Sequence, residues 1–121
     1  MKTSDNLHHR KGHYLGTVID GKWWKRYKKN RLFARGNGKY WYDENTFYFL
    51  RYLTKQPIQI PLNKVISFEI GKSHAGRWLF KQKVLKMIWQ KDGRLLSSGF
   101  IVARDRQETG MIMAALKRLL S

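Results

Sequence analysis

Residues 84–94 read Val84-Leu85-Lys86-Met87-Ile88-Trp89-Gln90-Lys91-Asp92-Gly93-Arg94, an apolar-rich run that stops at an Asp-Gly pair, and a second such run, residues 95–103, follows at once. Asp-Gly between two apolar runs predicts a hairpin, because both central residues of a type I′ turn take positive φ. Beyond it stands Asp105-Arg106-Gln107-Glu108, a carboxylate three residues ahead of a glutamate, and then Ile112, Leu116, Leu119 and Leu120 at helical spacing. This is a capping box that opens an amphipathic helix. The chain therefore closes as strand, turn, strand and helix.

Upstream of the hairpin the punctuation is that of more strands. Residues 14–19 form a first apolar run that turns at Asp20-Gly21. Between Trp23 and Phe33 two readings stand: Trp23, Trp24 and Tyr27 line one side of a short helix, or the aromatics sit among basic residues on an edge strand. Gly36-Asn37-Gly38 reads as a turn before a strand at 39–42, Asp43-Glu44-Asn45 as the next turn, and 46–52 as its partner strand. Pro57 and Pro61 bracket residues 58–60, which confines them to a short edge strand, and residues 66–70 alternate like a half-buried one. The expected fold is mainly β. It is a strongly bent antiparallel barrel of about seven strands, its apolar mouth capped by one C-terminal α-helix.

The chain has 121 residues and no cysteine. That length builds one domain with a core that needs no metal or disulfide staple. Residues 1–13 are polar and aperiodic and read as a disordered, His-containing tail. The domain is then 14–121, with 14–37 as a basic, aromatic extension at its start. No apolar stretch is long enough for a signal segment or a membrane span, so a cytoplasmic protein is expected, held peripherally on the inner face of the membrane.

Charge is the second strong signal. Twenty-five Lys and Arg against eight Asp and Glu give a formal net charge of +17. The excess is uneven, because residues 1–35 and 71–121 each carry +8 and residues 36–70 only +1. Residues 22–35 hold seven basic groups and no acid, and the stretch between Glu69 and Asp92 is likewise free of acids. Acid-free basic runs point to a polyanionic partner.

Catalytic patterns are absent. His8, His9 and His13 have no cysteine and only Asp5 nearby, so no metal and no cofactor is expected. The eight acids are scattered, Asp43-Glu44 suits a turn, and neither a nucleophile elbow nor a phosphate-binding glycine motif occurs. The expectation is a non-enzyme with no catalytic residue.

The strand runs Tyr48-Phe49-Leu50, residues 58–68, Leu85-Lys86-Met87-Ile88-Trp89 and Gly99-Phe100-Ile101-Val102, followed by the helix, resemble pleckstrin-homology-like domains of the bacterial or GRAM-like type. The resemblance covers residues 38–120. It implies a seven-stranded barrel with a C-terminal helix that binds phospholipid headgroups or protein segments and does no catalysis.

Two groups of residues are candidates for anion binding. Lys22, Lys25, Arg26, Lys28, Lys29 and Arg31 supply charge, and Trp23 and Trp24 beside them supply interfacial aromatics. In the loop at 71–78, Lys72 and Arg77 supply charge, Ser73 a hydroxyl donor and His74 a proton-dependent donor, while two glycines let backbone N–H groups approach an anion. The partner expected is an anionic phospholipid surface. The alternatives are a nucleic acid, whose phosphates the same residues would neutralise and on whose bases the aromatics would stack, and a protein segment added at the sheet edge.

Overall fold

The computed structural model of the chain describes residues 9–29, 32, 34–74, 77–78 and 83–120, without the side chains of Trp23, Ser73, His74, Arg77 and Trp78. In order it contains β1 (Arg10–Ile19), β2 (Lys22–Arg26), β3 (Gly36–Tyr42), β4 (Thr46–Arg51), β5 (Ile58–Pro61), a 3-10 turn (Leu62–Lys64), β6 (Val65–Gly71), β7 (Ser73–His74), β8 (Arg77–Trp78), β9 (Val84–Lys91), β10 (Arg94–Ile101) and α1 (Arg106–Leu120). Asp92 and Gly93 have φ of 54° and 74°, which is the turn that this pair favours, and Asp20 and Gly21 repeat it at 54° and 71°. Asp43 closes a third turn by accepting the N–H groups of Asn45 and Thr46, each at 2.8 Å. At the start of α1 the Asp105 carboxylate accepts the Glu108 N–H at 2.8 Å, as the capping box requires.

Eight strands form one antiparallel sheet in the order β5-β4-β3-β1-β10-β9-β6, with β2 pairing to the far half of β1. Strand β1 begins at Arg10, inside the stretch expected as tail, and lies between β3 and β10 at the centre of the sheet. Residues 23–26 settle as strand. Gly36-Asn37-Gly38, expected as a turn, opens β3. The reason is packing, because a Cβ on Gly38 would overlap the Leu50 carbonyl of the neighbouring strand.

The sheet is strongly bent. Phe47 on β4 and Phe100 on β10 are separated by two intervening strands, about 14 Å across a flat sheet. Their ring centroids are 4.9 Å apart. The inner surface holds Tyr14, Tyr40, Phe47, Phe49, Ile60, Leu85, Met87, Trp89 and Phe100, all buried, and α1 closes it with Ile112 and Leu116. Leu119 packs at the margin, whereas Leu120, expected in the same stripe, is partly exposed. The barrel is not closed. Strands β5 and β6 end the order without pairing, since Pro61 offers no N–H and only the 3-10 turn links them. Helix α1 packs on β6, β9 and that turn at the opening.

A hydrogen-bonded chain crosses this core. Tyr14 Oη donates to the Leu32 carbonyl at 2.6 Å, so Thr17 Oγ1, 2.5 Å away, must donate to Tyr14. Ser98 Oγ, 2.6 Å from Thr17 Oγ1, in turn donates to Thr17 and accepts Trp89 Nε1–H at 3.0 Å. One direction of donation satisfies every member.

Candidate functional site

Strand register sorts the charged segments into two ends. Ile19 faces Leu96, which faces Trp89, and β3 starts opposite Tyr14 with β4 ending opposite Gly38. By strand direction, residues 20–35, 52–57 and 92–93 are connections on one side of the sheet, with the turn at 52–57 set back from β2 at the level of Asn37 and His13. Gly71 pairs with Val84 at the level where β10 finishes, so residues 72–83 and the start of α1 lie at the other. The two basic segments singled out from sequence stand apart, roughly 20 Å along a six-residue length of β1.

At the first end, β2 holds Lys22, Trp24 and Lys25 exposed, and Lys28 and Lys29 follow, also exposed. Trp24 keeps 61% of its surface in solvent. Arg26 differs from its neighbours: it is half-buried, and its guanidinium lies over Gly16, where a Cβ would come within 2.6 Å of Nη2. Gly16 has φ +103° at the point where the β1–β10 register shifts, so a glycine is needed there twice over. Arg31 and the side chain of Trp23 lie outside the described residues and atoms.

Two tethers fix this end. Leu32 is held through its carbonyl by Tyr14. Buried Tyr27 donates its hydroxyl to Asp92 Oδ2 at 2.7 Å, which joins the exit of β2 to the β9–β10 turn. That bond, with burial added, raises the Tyr27 phenol above its ordinary range. Two hollows lie near. One of about 220 Å³ is lined by Phe49, Arg51, Thr54, Lys55, Gln56 and Ile58. Another, about 510 Å³, lies by the sheet opening against Pro61, Lys64, Trp89 and Lys91.

At the other end, Lys72 is exposed, and the segment expected as an open phosphate-cradling loop is a two-stranded ribbon. Ser73 pairs with Trp78 and His74 with Arg77 through the backbone, so the residues are neighbours on β7 and β8. Their side chains lie outside the described atoms. Farther along β9, Lys86 is half-buried and stands opposite Glu69 in the β6–β9 pairing.

Sequence reasoning missed a basic cleft of about 590 Å³ lined by Arg10, Lys11, His13, Asn37, Arg104 and Glu108. Only the pairing of β1 with β10 brings Arg10 and Arg104 together, and no local pattern announces it. His13 Nδ1 donates to Asn37 Oδ1 at 2.6 Å, and His9 stacks on Trp41 with centroids 4.2 Å apart. Among the described residues no three His, Asp or Glu side chains gather as a metal site, and no helix is long and apolar enough to cross a membrane.

The family described as bacterial PH domain-like matches residues 2–117. The match reaches well before residue 38, as the central place of β1 in the sheet requires. No curated protein matches the sequence.

Proposed function

The chain belongs to the bacterial PH domain-like family, and from that premise we propose that it is a non-catalytic module that binds anionic phospholipid headgroups at a membrane surface. The PH-like fold suggests a binding module. The observation that favours lipid is Trp24, a large aromatic left 61% exposed among exposed Lys22, Lys25, Lys28 and Lys29. An aromatic ring with lysines around it suits an interface that is apolar below and anionic above. Four lysines near such a surface contribute about 4 kcal/mol, at about 1 kcal/mol each, and an inserted indole adds to that.

The test is tryptophan fluorescence on phosphatidylcholine vesicles with and without phosphatidylserine. A blue shift that needs phosphatidylserine and is lost in Trp24→Ala is the expected result. Tight binding of single-stranded RNA with quenched fluorescence, and no response to either vesicle, overturns the proposal and makes the chain a nucleic-acid binder.

A further inference from the structure

Leu53 departs from the rules of a soluble surface in two independent ways. It is a central residue of the turn at 51–54, closed by the Thr54 N–H on the Arg51 carbonyl at 3.2 Å and by Thr54 Oγ1 on the same carbonyl at 2.6 Å. Its φ is +69°, a region that suits glycine or asparagine and crowds the Cβ of any other residue. Its side chain is wholly in solvent, at 105% relative exposure, and Tyr52 beside it is at 50%. Among the described residues the other non-glycines with positive φ are Asp20 and Asp92, whose short polar side chains tolerate it. Asparagine at position 53 would serve the turn and the water equally. Neither backbone strain nor an apolar side chain in water helps this chain to fold, and the two coincide on one residue.

We infer that Leu53, with Tyr52, is an apolar tip that enters the interface of an anionic bilayer alongside Trp24. The inference rests on the function proposed above and adds to it a second point of insertion, on a different loop. Its occupant follows from position and charge. The turn leaves β4 in the direction in which β1 runs toward β2, which carries Lys22, Trp24 and Lys25, and exposed Lys55 follows it. A convex apolar tip within a basic surround matches a medium that is anionic at its surface and apolar just beneath. Two tips on separate loops also fix the tilt of the domain, which a single anchor leaves free.

The absence of cysteine makes the test direct. Leu53→Cys carries one environment-sensitive fluorophore, and Lys72→Cys places the same label at the opposite end. On phosphatidylserine-containing vesicles the label at 53 should shift to shorter wavelength and be quenched by spin-labelled lipid, and the label at 72 should do neither. Unlabelled Leu53→Asn should bind these vesicles about tenfold more weakly, the transfer of one leucine, with Tm unchanged or higher. A silent label at 53 while Trp24 still responds overturns this inference and leaves the proposed function standing. Silence from both removes the proposed function as well. A Leu53→Asn protein of lower Tm, or one that binds vesicles as the parent does, also overturns it, since Leu53 would then serve packing or another partner.

Discussion

The Tyr14 hydroxyl donates to the Leu32 carbonyl at 2.6 Å, and through it the buried chain from Trp89, Ser98 and Thr17 ends on the segment that carries the exposed lysines. A surface loop rich in like charges repels itself. Here it is anchored on a bond inside the core, which gives the charged end a defined shape.

Tyr14→Phe removes the donor to Leu32 and the acceptor for Thr17, leaving the buried Leu32 carbonyl and the Thr17 O–H unsatisfied while Ser98 still bonds the Thr17 oxygen. The expected loss is about 2–4 kcal/mol, since each costs roughly 1–3 kcal/mol when orphaned. A urea titration measures it. A midpoint equal to that of the parent protein would mean that the chain of bonds is not a source of stability.

Alkaline pH should unfold the protein for the same reason. Burial pushes the Tyr14 phenol far above its ordinary 10.0, outweighing the opposing hydrogen bond from Thr17 and the nearby arginines, and burial raises Tyr40 from 10.0 to about 12. Unfolded phenols lose their protons at about pH 10 while the folded ones keep them. The stability involved is therefore fully present below about pH 10 and is lost as pH rises through the folded values. Tyrosinate absorbance should appear together with loss of structure. Stability that stays flat from about pH 9 to 12 would contradict this.

Much of this fold is legible in the chain because short-range rules decide it. Asp92-Gly93 and Asp20-Gly21 need positive φ wherever they occur, and Asp105 caps α1 whatever surrounds it. The readings that changed depend on partners distant in sequence. Gly36 to Gly38 reads as a turn by composition, yet Gly38 is in a strand because β4 comes too close for a Cβ. Residues 71–78 read as an open loop, and their backbones pair. The candidate site was half legible: the lysines of 22–29 are read directly from the sequence, whereas the exposure of Trp24 and the placing of Arg26 over Gly16 depend on how β2 pairs with β1. Leu53 gave no sequence signal, because an apolar residue in a polar segment looks like an ordinary core residue until its φ and exposure are known.

Leu116→Ala tests the closure by α1. Leu116 is fully buried in the cluster that holds Trp89 and Phe100, at the opening between β5 and β6. Truncation should cost about 2–5 kcal/mol. A change below about 1 kcal/mol in calorimetry or urea titration would show that the opening collapses without the helix.

Charge reversal at the two ends of the strands decides which of them meets a membrane. Lys25→Glu removes about 1 kcal/mol of attraction and adds a similar repulsion, so vesicle binding should fall roughly thirtyfold if the β2 end docks. Lys72 sits at the far end, roughly 20 Å along the strands, against a screening length of about 8 Å at physiological salt. Lys72→Glu should therefore change binding by less than about threefold. Sedimentation with phosphatidylserine vesicles at one fixed salt concentration makes the comparison, and both lysines are exposed, so neither change should disturb the fold. Equal losses at both ends would mean that the net charge of +17 acts as a diffuse cloud with no docking face. A larger loss at Lys72 would instead turn the domain over and give the membrane to the ribbon of β7 and β8.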